Sequence, residues 1–334
     1  MLEKKVRVLI VDDSSLMREA LRSVVAADPE LEVVGLAANG REGVEKALAL
    51  KPDVITMDLK MPVMTGLEAI ETIMEEQPVP IIVVSSMDVS VIVKALSFGA
   101  MDFVSVAQDI DEIARDLLQK IKIASRVKAL RRLRLRPVSQ PHHLAKCSSE
   151  KLVAIGVSTG GPQALLAVLS KLPEGFPAPI LVVQHMSKGF IAGLAEWLSG
   201  QCKVKVRIAA AGETVKPSCV YLAPDDYNMK IESDGTVLLS EDTDKLRAHV
   251  PSIDVMMLSA AQTWGKSVIG VIMTGMGSDG VEGIKAIKAA GGITLAQDEK
   301  TSAVFGMNKA AVETACVDKV VALEELAGQL IKAL

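Results

Sequence analysis

Two groups of residues in this 334-residue chain have the types and spacing to do chemistry. In the first, Asp12 and Asp13 directly follow the apolar run Val6–Val11, and Asp58 directly follows Val54–Met57. If those runs are parallel strands, three carboxylates meet at the carboxyl ends, where such sheets bind ligands. Their repulsion calls for a hard, oxygen-seeking cation such as Mg2+. A carboxylate beside that ion can act as a nucleophile and become an aspartyl phosphate. Ser85 closes the run Ile81–Ser85 and offers a hydroxyl to a phosphoryl oxygen. One aspartate at a strand end reads as a helix cap or turn residue. Three, with Met61-Pro62 and Gly66 behind Asp58, do not.

The second group is nucleophilic. Gly156-Val157-Ser158-Thr159-Gly160 ends an apolar run and opens a helical segment at Gln163. It matches G-x-S-x-G, a strand–turn–helix elbow that exposes a serine at the carboxyl edge of a sheet. Alone, the motif could equally cradle a phosphate on a helix N-terminus. A dinucleotide fold would need G-x-G-x-x-G and an acid after the next strand. Here the spacing differs, and the next strand runs Val182-Val183-Gln184-His185. Of four histidines, His142 and His143 lie in a polar stretch, leaving His185 and His249 in this half. His185, at a strand end beside that of Ser158, is placed to act as general base. Asp279, in the turn Gly275–Gly280, is placed to orient it. The same segment also suits an N-cap of the helix that follows.

The elements that must position these residues are short β-branched runs alternating with helical patterns. Val6–Val11, Val33–Ala37, Val54–Met57, Ile81–Ser85 and Met101–Val104 predict five buried strands. Near-continuous apolar strands need helices on both faces, hence a doubly wound α/β sheet. A second set begins at Leu152–Val157 and continues through Ile180–Gln184, Val204–Ile208, Val268–Thr274, Ile293–Ala296 and Val317–Val321. Between Cys219 and Ser240 the runs shorten, and Ser233-Asp234-Gly235 is a hairpin signal. An inserted or edge antiparallel piece is expected there. From Lys120 to Arg136 stand eight Lys/Arg and no acid, followed by polar and turn-forming residues to Ser149. That stretch predicts a solvated helix end running into a hinge. The domains are therefore placed at 1–124 and 151–334, with a linker at 125–150.

Composition bounds the rest. Apolar residues make up 49%, charged residues 23% and aromatics 3%, a globular composition with aliphatic cores. A net charge of −4 weighs against a nucleic-acid partner. Cys147, Cys202, Cys219 and Cys316 are widely spaced, as free thiols in a reducing compartment would be. No run reaches the roughly 18 apolar residues of a membrane span, and no signal peptide precedes the first strand. A cytoplasmic protein without membrane insertion is expected.

Residues 6–106 resemble a response-regulator receiver domain, through Val11-Asp12-Asp13-Ser14, Met57-Asp58-Leu59-Lys60-Met61-Pro62, Ser85 and Gly99-Ala100-Met101-Asp102-Phe103. The resemblance implies a flavodoxin-like fold with Asp58 as phosphoacceptor. It implies Mg2+ held by Asp12, Asp13 and Asp58 with the Lys60 carbonyl, and Ser85 and Phe103 as switch residues. Val106 stands where that family carries a lysine, so altered coupling is expected. The second half resembles the catalytic domain of chemotaxis protein-glutamate methylesterases, a larger Rossmann-like domain. The resemblance rests on Ile155–Gly161, Val183–Met186, Tyr221–Pro224, Pro251–Val255, Thr274–Gly280 and Val304–Met307. It implies Ser158 as nucleophile, His185 as base, Asp279 as orienting acid, and Thr159 and Met276 as supporting residues that include oxyanion donors. The implied reaction demethylates glutamyl methyl esters on methyl-accepting chemoreceptors, and deamidates glutamines in parallel chemistry. A histidine kinase would be the phosphodonor, and the catalytic step would need no metal. Val250 and Asn308 depart from common family residues without touching the triad. A regulator whose second domain only binds partners is the competing reading, separable by Ser158→Ala. A DNA-binding output fits the acidic α/β half poorly.

Overall fold

A computed structural model describes residues 5–86, 89–106, 110–126, 151–241 and 249–334. Two compact units divide between Arg134 and Leu135. That division, most of the proposed linker, His142, His143 and Cys147 lie outside the described residues.

The first unit carries β1 (Val6–Val11), α1 (Ser15–Ala26), β2 (Leu31–Ala37), α2 (Gly40–Leu50), β3 (Val54–Met57) and α3 (Gly66–Glu76). It continues with β4 (Ile81–Ser85), α4 (Val89–Ser97), β5 (Asp102–Ser105) and α5 (Ile110–Ala124). The sheet is parallel in the order β2-β1-β3-β4-β5. Strands β3 and β4 are buried throughout, because helices cover both faces. The order reverses between β1 and β3, and a crevice opens outside their carboxyl ends.

The second unit carries β6 (Leu152–Val157), α6 (Gly161–Leu169), β7 (Ile180–Gln184), α7 (Ile191–Gln201), β8 (Lys205–Ile208) and β9 (Cys219–Leu222). Then come β10 (Asn228–Ile231), β11 (Val237–Ser240), α8 (Ile253–Trp264), β12 (Val268–Ile272) and α9 (Val281–Ala289). It ends with β13 (Ile293–Gln297), α10 (Met307–Glu313), β14 (Lys319–Val321) and α11 (Leu323–Ala333). Seven strands form one sheet, β14-β13-β12-β6-β7-β9-β8, with every neighbouring pair parallel. The antiparallel piece is a separate two-stranded sheet, β10 with β11. It is thus an insertion and not an edge of the main sheet, and β9 belongs to the parallel sheet. The order reverses between β6 and β12. Helix α6 packs into the apolar layer on one face and α9 into the layer on the other. The loops after β6 and β12 therefore diverge and leave a cleft between them.

Helix α5 ends at Ala124, and residues 127–149 of the basic and polar stretch lie outside the described residues. The expectation of a solvated helix end is corrected at Lys120. Lys120 is largely buried and pairs with Asp116 at 3.0 Å and Asp102 at 3.4 Å. Lys122 pairs with Asp28 at 2.7 Å. Lys120 needs such partners because a buried ammonium must be paired, whereas Lys122 is 31% exposed and tethers α5 by a surface pair.

Candidate active site and acidic pocket

In the second unit, Val157 on β6 is in register with Gln184 on β7. The next residues, Ser158 and His185, therefore leave the sheet side by side. The peptide of each is tied to an adjacent strand: Ser158 N–H donates to Thr274 O (3.0 Å) and His185 N–H to Val157 O (3.0 Å). Gly275 makes room for the serine. A Cβ there would lie 2.7 Å from Ser158 Cβ.

Gln184 was not singled out from sequence. Its buried Nε2 donates to Ser158 O (2.9 Å) and to His185 O (2.7 Å), so one amide clamps both chains. Its Oε1 lies against the first turn of α6, where a Cβ on Gly161 would come within 2.0 Å. No sequence pattern distinguishes this glutamine from an ordinary strand-end polar residue.

His185 Nε2 lies 3.0 Å from Asp279 Oδ2. The carboxylate thus lies within ion-pair distance of the imidazole. Asp279 is not the cap of α9. Gly280 occupies that N-cap position, without a side-chain bond. The carboxylate turns instead to the N-terminus of α8, accepting from Ile253 N–H (2.8 Å), Asp254 N–H (2.9 Å) and Ser252 Oγ (3.0 Å). Burial pushes its pKa up, but His185 and the Asp254 and Ile253 amides outweigh burial and hold it at about 2. Asp279 is an anion at every physiological pH.

His249 is a second residue that sequence reasoning left without a role. Its ring stacks on His185 with centroids 4.5 Å apart. Burial and the neighbouring His185 lower its pKa, against the pull of Asp279. Thr159 follows Ser158, and its carbonyl accepts Thr274 Oγ1 at 2.9 Å. Met276 is 40% exposed beside the cleft, one residue after Gly275, whose carbonyl takes the Gly306 and Met307 amides. Buried Asn308 donates to Gln297 O (3.0 Å) and Ser302 Oγ (2.7 Å), away from the triad. The assembly offers a nucleophile, an imidazole and a permanently charged acid at one switch point. That set can perform acyl transfer.

In the first unit, Asp12, Asp13 and Asp58 follow β1 and β3 at the corresponding switch point. Burial, then the charges of Asp58 and Asp13, raise Asp12 to about 6. Burial raises Asp58 too, against a hydrogen bond from Ser85 Oγ to its Oδ1 at 2.8 Å. Arg18 donates to the Asp12 carbonyl at 2.6 Å and brings a positive charge beside it. Phe103 is buried, with Lys120 Nζ 5.3 Å from its ring centroid. Val106 packs against the apolar cluster that includes Val104, Leu117 and Ile121, so its side chain joins the core. Among the described residues, no three His, Cys, Asp or Glu side chains form a ready-made cage for an ion. The donor set nonetheless fits Mg2+, which is held through one or two carboxylates and keeps several waters.

Residues 153–330 match the family described as CheB methylesterase, and residues 8–118 match the response regulator receiver domain. A relative from Pyrococcus abyssi, protein-glutamate methylesterase/protein-glutamine glutaminase, is 42% identical over 99% of this chain and 94% of its own. The chain belongs to the CheB methylesterase family. A second relative, from Carboxydothermus hydrogenoformans and named protein-glutamate methylesterase/protein-glutamine glutaminase 1, is 41% identical over 97% of this chain and 98% of its own. The crystal structure of the Thermotoga maritima CheB methylesterase catalytic domain aligns with 55% of this chain and 98% of its own, with a TM-score of 0.53 and 40% identity. The CheB methylesterase match covers Ser158, His185 and Asp279, and the receiver match covers Asp12, Asp13, Asp58, Ser85 and Phe103. Cys202, Cys219 and Cys316 are free thiols, and no helix among the described residues is long and apolar enough to cross a membrane.

Proposed function

We propose that this chain is a cytoplasmic, phosphorylation-regulated esterase. It removes methyl groups from glutamyl methyl esters of chemoreceptors and deamidates glutaminyl side chains, in chemotaxis adaptation. The observation that carries this reading is that Ser158 and His185 follow register-paired strand ends and His185 Nε2 lies 3.0 Å from Asp279. Ser158 Oγ attacks the ester carbonyl while one ring nitrogen of His185 takes its proton; the other nitrogen faces Asp279, whose charge stabilises the imidazolium. Donors around Thr159 and Met276 hold the tetrahedral oxyanion. The C–O bond to the methoxy group then breaks, and the proton on His185 leaves with it as methanol. Water, deprotonated by His185, hydrolyses the glutamyl–serine ester and frees glutamate. With an amide substrate the leaving group is ammonia.

Asp58 is the phosphoacceptor, with a histidine kinase as donor. Asp12, Asp13, Asp58 and the Lys60 carbonyl would hold Mg2+, which supplies charge neutralisation for the incoming phosphoryl group. Ser85 bonds a phosphoryl oxygen, and Phe103 reads the change. Val106 leaves the phosphoryl group without the lysine contact, so the response to phosphorylation is expected to be weaker than in lysine-bearing receivers.

The test is methanol release from membranes carrying methylated receptors, with and without a small phosphodonor plus Mg2+. Wild-type protein should release methanol, and Ser158→Ala should release none while keeping its circular dichroism. Absence of release from the wild type would sink the esterase, and absence of phosphodonor stimulation would sink the switch.

A further inference from the structure

Asp254 stands one residue inside the start of α8 and belongs to no part of the mechanism above. Its Oδ1 accepts Gly280 N–H at 2.9 Å and Gly283 N–H at 2.8 Å, the first amides of α9. Helix α9 begins on Gly280, which has no side chain to cap with. The free amides of a helix start need an acceptor, and Asp254 supplies it from the neighbouring helix. Asp279 does the same in reverse for α8, through Ile253 and Asp254. Each helix is thus capped by an acid belonging to the other, and one of those acids faces the catalytic imidazole.

The packing leaves this exchange little slack. A Cβ on Gly280 would meet Ile272 Cδ1 at 2.5 Å and Ile253 Cγ2 at 2.7 Å, and one on Gly283 would meet Met257 Cβ at 2.4 Å. Gly280 also has φ +98°, where side chains are strained. Between these glycines and Gly275, residues Met276, Gly277 and Ser278 are exposed. The loop bearing Asp279 is therefore held at its ends: at Gly275 by Val304, Gly306 and Met307, and at Gly280 by Asp254. The Asp279 carboxylate keeps its own bonds to Ser252, Ile253 and Asp254, and the Asp254 side chain adds a hold on the backbone just after it, at Gly280.

We infer that Asp254 is a positioning residue of the hydrolytic site, which fixes the triad acid Asp279 by capping α9 across the helix pair. This rests on the reading of Ser158, His185 and Asp279 as a triad, which Ser158→Ala tests separately. Asn caps helices about as well as Asp, while Ala does not. Asp254→Asn should therefore stay within about threefold of wild-type kcat. Asp254→Ala should lose roughly 10- to 100-fold in kcat, the scale expected for a misplacement near 1 Å, with KM within about twofold. The rate at which a small organophosphorus reagent labels Ser158 should fall in parallel with kcat, because labelling needs the aligned base but no receptor. A cap that matters only for stability would lower the melting temperature and leave kcat and labelling rate of the folded protein unchanged. That result, or an Asp254→Asn as impaired as Asp254→Ala, overturns the inference. Should Asp254→Ala not fold, Asp254→Glu keeps the charge but moves the acceptor by one methylene, and wild-type kcat there overturns it equally.

Discussion

Asp279 gathers three donors from the start of α8 and then faces His185, so its charge is fixed before any substrate arrives. Replacing it with Asn should keep the fold and reduce kcat/KM by roughly 10³- to 10⁴-fold, as loss of the orienting acid does in serine hydrolases. Steady-state methanol release checks this, and a loss under tenfold would contradict the assigned role. At the acidic site, burial raises the Asp12 pKa to about 6, and the proposed Mg2+ would need its charged form. Mg2+ affinity of the full chain is expected to fall several-fold between pH 7.5 and 5.5 by calorimetry, the carboxylate losing its charge below its pKa. The sign for stability is opposite. The folded-state pKa lies above the unfolded value, so without Mg2+ this group favours folding increasingly as pH falls from about 7 toward 4. Ser158, His185, Asp12, Asp13 and Asp58 were legible in sequence because a strand end is a place that periodicity can locate. Asp279 was legible as a candidate, but the helix that it caps was not. Local sequence offers α9, and only the approach of α8 presents better donors.

At the scale of elements, Gln184 joins the ends of β6 and β7 by donating to the carbonyl that follows each strand. Gln184→Leu would leave two carbonyls without that donor, costing about 2 kcal/mol. A lower melting temperature, together with a reduced kcat at unchanged KM, is the expected outcome, and unchanged values of both would remove the clamp. A surface cap provides the contrast. Thr65 and Glu68 form a capping box at the start of α3, and Thr65→Ala should cost about 1 kcal/mol in denaturant unfolding while methanol release stays at the wild-type level. Strand existence followed from β-branched runs, and most boundaries fall within two residues of those runs. The hairpin β10–β11 was also legible, through Ser233-Asp234-Gly235. Its detachment from the main sheet was not, because a hairpin signal records local turn geometry and says nothing about which edge the strands join.

Across the whole molecule, both units place their chemistry by one rule. Strand order reverses between β1 and β3 in the first unit and between β6 and β12 in the second, and each site lies outside the carboxyl ends at that reversal. Separate cores let the units serve as regulator and catalyst. If the receiver restrains the esterase, cutting the full chain near residue 145 should raise basal methanol release, and addition of phosphodonor should then have no further effect. Equal activity before and after the cut would count against restraint. The sequence by itself determined two α/β units, the family of each and the residue types at the strand ends, because these depend on short-range periodicity and motif spacing. Only the tertiary structure decided that Gln184 clamps Ser158 to His185, that His249 stacks on His185 and that Asp254 and Asp279 cap each other's helices. It also turned Lys120 from a solvated cation into a buried one. Those are contacts between residues distant in the chain, made where helices and strands pack, and a periodic pattern carries no information about which buried partner a polar group will find.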